Sequence, residues 1–252
     1  MQVTNDQGNK KARYAYIDVL RFLGIFAIYL GHISSPSGPV NKFVFLYHVP
    51  LFFFVSGCMD INREMVLEGQ GENPYSYKRY IKSIVHDIKT LVFPWLFFSI
   101  FSMIVYVLNN GFDKEKVILN LEIIMKGCIR NQFFAGSLWF FTCLFIVKII
   151  FGLIKLLKNR LLIFVICLLL FYISEYGLPH RPLVNPQWYW NTDSAMYYII
   201  YYGIGFCLFP KFNSLLAGND RSEGRKIKKA MFYAIFVWGG YTRHWPFWEK
   251  IY

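Results

Sequence analysis

Charge is scarce in this chain. Of its 252 residues only 17% are Asp, Glu, Lys or Arg, against 56% hydrophobic and 20% aromatic. A soluble domain rarely combines such figures. Cysteine is sparse and unpatterned: Cys58, Cys128, Cys143, Cys167 and Cys207 form no CxxC or other metal-ligand spacing. Cys143, Cys167 and Cys207 fall in apolar runs and read as small hydrophobes. Neither a disulfide framework nor a zinc site follows, and no metal is expected. Repeats and low-complexity tracts are lacking, so residues 1–252 read as one domain. No cleavable signal peptide is expected either: Met1 to Lys11 is polar, and the first apolar stretch carries Asp18 and Arg21, which reads as a retained first span. Acidic residues are the rarer sign, which leaves a net charge of +12. In a soluble chain that excess would suggest nucleic acid. At a mean hydropathy of +0.35 it belongs to loops at one membrane face, and no nucleic-acid partner is expected.

What the chain has is long apolar runs. Seven candidate spans stand out: Tyr16–Ile33, Phe43–Met59, Leu91–Leu108, Leu138–Leu157, Leu161–Ile173, Ala195–Pro210 and Ala230–Tyr241. Several are shorter than the ~20 residues that cross a bilayer comfortably. The fold class expected is all-α, a polytopic transmembrane helix bundle of about seven spans in a lipid bilayer. With the N-terminus inside, inner segments hold 17 of the 27 Lys and Arg and outer segments hold 8. The bias predicts a cytoplasmic N-terminus. The strongest basic cluster, Gly218 to Lys229, reads as an inner anchor. Lys78 to Lys89 alternates basic and apolar residues, as an interfacial helix does. Leu178 to Asn191, rich in Pro and Trp, reads as an outer loop at headgroup level.

The first two spans carry the chemistry. Ionisable groups at a span centre cost roughly 2.5–3.5 kcal/mol each, so they mark sites. Arg21 and His32, eleven residues apart, share one helix face about 16 Å apart along the axis. Asp18 precedes Arg21 by three and can pair with it. His48 opens the second span, joined to the first by a short loop, so it is expected at a depth near His32. Two imidazoles there allow one to act as base and the other to bind or orient a substrate. Pro50 and the Ser56-Gly57 pair are helix-bending or close-packing features.

Asp18-x-x-Arg21, Arg21-x10-His32 and His48-x-Pro50-Leu-Phe-Phe-x-x-Ser56-Gly57 resemble the signature of the integral-membrane acyltransferase family 3. Lys89-Thr-Leu-Val-Phe-Pro94-Trp is similar to the entry to that family's third span. Leu138-Trp139-Phe140 is similar to its Leu-Trp-Phe motif, and Trp190-Asn-Thr-Asp193-Ser-Ala195 resembles the fucose-type O-acetylase branch. The resemblance runs from about Tyr14 to Pro210. It implies a plasma (inner) membrane enzyme that moves acetyl from cytoplasmic acetyl-CoA to a hydroxyl of a cell-surface or exported glycan, lipid-linked or free. Its implied catalytic residues are His32, His48, Arg21 and Asp18. Arg21, Arg79, Lys82 and Lys89 are the implied donor-binding cations, and Trp139 and Trp190 the implied sugar platforms. Family members have about ten spans, so a C-terminally truncated member is expected here. Lys89 stands where an arginine is common; it keeps the charge but not the planar fork. The alternatives are a transporter or flippase for a lipid-linked glycan, which should show paired broken helices, and an inactive membrane fragment.

Overall fold

A computed structural model describes residues 15–33 and 38–217, and all regular structure among them is helical. The core is a pair of long helices, α2 (Pro39–Gly69) and α8 (Thr192–Ala217). Phe53 of α2 stacks on Tyr198 of α8 at 4.7 Å, and further along Cys58 Sγ lies 3.5 Å from the Gly205 carbonyl. The register advances together, so the two helices run parallel. Glycine permits the approach. A methyl group on Gly57 would drive into the Tyr202 carbonyl, and one on Gly205 into the Phe54 carbonyl. Without a hydrophobic drive in lipid, such small-residue contact is what holds helices together. The expectation of close packing at Ser56-Gly57 is met, with Gly205 as its partner. Pro50 has no N–H for the helix ladder, yet α2 continues through it.

Helix α1 (Ala15–Ile33) folds back on α2. It buries Ile17, Gly24, Ala27 and Gly31, one stripe at helical spacing. The facing ring of Phe52 rests over Gly24. Asn41 donates from its side chain to the Gly31 carbonyl at 2.7 Å, which ties the hairpin's end. The other side of α1 exposes Phe22, Ile25, Phe26 and Tyr29.

Tyr77 to Asn110 is one helical run of 34 residues, α3 (Tyr77–Asp87), a π-helical turn at Ile88–Val92, and α4 (Phe93–Asn110). The stretch expected as a separate interfacial helix is thus the cytoplasm-side extension of the third span in the N-in reading. Helix α5 (Lys114–Met125) follows, begun by Asp113, which accepts from the amides of Glu115 and Lys116. This helix lies outside the seven apolar runs of the sequence. Helix α6 (Trp139–Ile154) buries Cys143, Val147, Phe151 and Ile154 against the core pair. Helix α7 (Arg160–Tyr172), capped by Asn159, packs on α8.

By length and composition three helices among the described residues are able to cross a membrane: Tyr77–Asn110, Trp139–Leu157 and Arg160–Gly177. The seventh expected span, Ala230–Tyr241, and the basic cluster from Gly218 to Lys229 lie outside the described residues.

Candidate functional site

Polar groups gather in three places: the α1–α2 hairpin, a Trp-rich end and a basic end. In the hairpin, Asp18 and Arg21 pair at 3.8 Å, both partly exposed, on the flank of the stripe that α1 buries. His48 is buried, 7% exposed, and its Nδ1 lies 2.8 Å from the Val44 carbonyl. Only a protonated Nδ1 can make that bond, so in neutral His48 the basic lone pair is on Nε2. A helical side chain leans toward its own N-terminus, and on α2 that is the end shared with His32. The contacts of Asn41 with Gly31 and of Phe52 with Gly24 set the hairpin register. They put the His48 backbone one to two turns nearer the middle of the bundle than that of His32.

The Trp-rich end is built on residues 126–138 and 178–191. Asn191 donates to Thr142 Oγ1 at 2.9 Å and to the Gly127 carbonyl at 3.2 Å, and accepts from the Arg130 amide at 3.0 Å. Trp190 and Asn191 both have left-handed backbone, φ 58° and 55°. Fully buried Asp193 accepts from the amides of Gln187 and Trp188 and bonds His180 Nε2 at 2.9 Å. Trp190-Asn-Thr-Asp193 is therefore a lock on the 178–191 loop. Of the two expected sugar platforms, Trp139 is buried and Trp190 half-buried. The Arg130 guanidinium lies 4.6 Å from the Trp139 ring centre, and Trp190 packs between Trp95 and Phe145. Arg130 also reaches the Tyr198 hydroxyl and the Pro182 carbonyl. Sequence reasoning passed over Arg130 and His180. Neither stands in a periodic pattern, and only the folded loop makes them neighbours of the core.

At the basic end the apolar helices carry buried charge. Lys155, just past α6, sits 3.0 Å from Asp60 and 2.7 Å from Glu64, which are one turn apart on α2. One α6 face and two turns earlier, Lys148 pairs with buried Asp87. The Tyr202 hydroxyl bonds Asp60. Two adjoining clefts open here and share Asp60, Ser83 and Lys155. The larger, about 360 Å³ counting its mouth, is also lined by Arg63, Glu64, Leu67, Pro74, Arg79 and Lys82. Glu64 lies beyond the second span. Burial pushes its carboxyl up to about 7, against the pull of Lys155, while Asp60 adds to the rise. Of the expected donor-binding cations, Arg79 and Lys82 line this cleft. Lys89 stands exposed on the π-helical turn, and Arg21 lines neither cleft. Arg63, Asp60, Glu64 and Lys155 were not anticipated. The signal was there: Asp60 and Glu64 at i, i+4 and Lys148 and Lys155 at i, i+7 each share a helix face. No group of three metal-ligating side chains occurs among the described residues.

Fold and polar clusters together define a helical membrane protein with ionisable groups held inside its bundle. Compared with known families, residues 14–251 match the model of the acyltransferase 3 family, described as an acyltransferase domain. The chain belongs to that family of membrane acyltransferases. No curated protein and no solved structure matches it. The family match runs some forty residues beyond Pro210, where the motif resemblance ended.

Proposed function

We propose that the chain is an O-acyltransferase that moves acetyl from acetyl-CoA on the cytoplasmic side to a hydroxyl of a cell-surface or exported glycan, in the inner membrane with its N-terminus cytoplasmic. Beside family membership, the observation that carries the reading is His48: buried, its Nδ1 committed to the Val44 carbonyl and its Nε2 left as the basic nitrogen. A base held in one tautomer and one orientation is what deprotonation of a sugar hydroxyl requires. His32 and His48 share the proton work. As the hydroxyl oxygen attacks the thioester carbonyl, its proton passes to an imidazole. The C–S bond breaks, and the CoA thiolate leaves and takes up a proton from solvent, while the imidazolium releases the hydroxyl's proton to solvent and is restored as base. Arg21 with Asp18 supplies fixed charge along the route. The cleft of Arg63, Arg79, Lys82 and Lys155 suits the donor's phosphates, since guanidinium and ammonium groups both bond phosphate oxygens.

Membranes carrying the chain, given acetyl-CoA and glycan acceptor, should release free CoA thiol and form an acetyl ester. His32→Ala and His48→Ala should each cut that release by roughly a hundredfold or more, with insertion in the membrane unchanged. Normal acetylation by either variant would remove that histidine from the mechanism. Absence of acceptor-dependent thiol release in the parent would end the reading.

A further inference from the structure

Glu64 sits at the floor of the larger basic-end cleft, its side chain 4% exposed, where a carboxylate is unexpected if the cleft takes an anion. The groups around it come from every element that packs there. Asp60, Arg63 and Glu68 lie on α2, Lys155 past the end of α6, Tyr75 on the turn before α3, Arg79 and Lys82 on α3 itself, Arg160 at the start of α7 and Tyr202 on α8. Arg79 is held by Glu72, and Lys155 by Asp60 and Glu64. Arg63 and Lys82 form no ion pair among the described residues and border the same space. The cleft therefore offers two uncommitted cations at its rim and, at its floor, one lysine shared by two carboxylates.

We propose that this cleft binds a phosphorylated ligand together with a proton, and that Glu64 is the group that takes the proton up. The inference rests on the donor-site reading above and adds its coupling. A phosphate seated between Arg63 and Lys82 brings negative charge beside Glu64. That charge disfavours the Glu64 carboxylate, and once Glu64 is neutral Lys155 keeps Asp60 as its carboxylate partner and its remaining donors face the cleft that the phosphate enters. Burial already holds Glu64 near neutrality, so a modest further push protonates it at working pH. By linkage, ligand affinity must then rise as pH falls from about 8.5 to about 7, by at most tenfold per unit for one proton. The carboxylic acid keeps a hydroxyl to donate, and no charge is stranded in the cleft.

The test uses the full chain in nanodiscs of neutral phosphatidylcholine, with adenosine 3′,5′-bisphosphate as probe and titration calorimetry in two buffers of different ionisation enthalpy. Wild type should take up a substantial fraction of a proton per ligand at pH 7.5 and bind several-fold more weakly at pH 8.5 than at pH 7. Glu64→Gln, locked in the neutral shape, should take up none beyond the probe's own and should bind better than wild type at pH 8.5. Parallel pH curves for the two proteins, or no proton uptake by wild type, overturn the proposal, and the second result needs no variant to fold. Arg63→Ala with Lys82→Ala should weaken binding tenfold or more; unchanged affinity would move the ligand elsewhere and overturn it as well. Discs containing phosphatidylglycerol separate the sources of phosphate. Displacement of the probe assigns the cleft to a lipid headgroup, and undiminished binding assigns it to a soluble donor. Binding is read without chemistry. Loss of acetyl transfer with proton-coupled binding intact defeats only the enzymatic reading, and transfer with parallel pH curves defeats only this one.

Discussion

At the scale of single residues, environment decides what a charge does. Glu64 and Glu68 are one turn apart on α2, but Glu64 is buried among Lys155 and Asp60 while Glu68 is exposed. For a carboxyl raised from 4.5 to about 7 in the folded state, the unfolded chain ionises first as pH rises. Stability from this group is full below 4.5 and is lost as pH climbs through about 7, at no more than about 1.4 kcal/mol per pH unit. Melting of Glu64→Gln in detergent should therefore depend less on pH across that window than melting of wild type; equal slopes would mean Glu64 ionises freely. Arg21 is a different case, half-exposed with Asp18 as its ion-pair partner. Arg21→Lys keeps the charge and loses the planar fork. If Arg21 serves the donor, activity at limiting acetyl-CoA should fall roughly tenfold, about 1.4 kcal/mol. Wild-type kinetics would make it only an anchor at the membrane surface.

At the scale of elements, the α2–α8 contact carries the bundle. Gly57 and Gly205 let two backbones touch, and any side chain there must part the helices or bend them. Gly57→Leu should destabilise the fold by about 1–3 kcal/mol or more, as overpacking of a filled interface does. Gly69, at the end of the same helix, has open space where a Cβ would sit, so Gly69→Ala should change little. Thermal melting of both variants in detergent checks the contrast, and equal effects would deny the close approach. The existence of these helices was legible in the sequence, because apolar runs of this length have few other uses. Their pairing was not. The Ser56-Gly57 pair marks a place of close packing, but that its partner is Gly205 of α8 depends on how all the helices pack.

At the scale of the whole molecule, charge sorts the two ends. Arg63, Arg79, Lys82, Lys155, Lys158 and Arg160 gather where α2 and α6 end and α3 and α7 begin. That matches the lysine and arginine excess expected on the cytoplasmic side. The Trp-rich loops lie at the other end. Cysteines placed at exposed Lys158 and exposed Asn185, in a background free of the five native cysteines, test the orientation. An impermeant maleimide on intact cells should label Asn185→Cys and spare Lys158→Cys. The reverse pattern would face the basic cleft away from any cytoplasmic donor, and the acetyl-CoA reading would fall with it.

By itself the sequence determined the all-helical class, the Asp18–Arg21 pair and the family motifs, because hydropathy and short-range spacing act locally along the chain. The tertiary structure alone decided which polar residues meet. It brought Asp60, Glu64 and Lys155 from two distant helices into one cleft. It set Arg130 over the Trp139 ring and packed Trp190 against Trp95 and Phe145. It turned Trp190-Asn-Thr-Asp193 into a loop lock. The physical reason is that a buried charge or ring takes its role from partners far away in sequence, and only packing in three dimensions selects those partners.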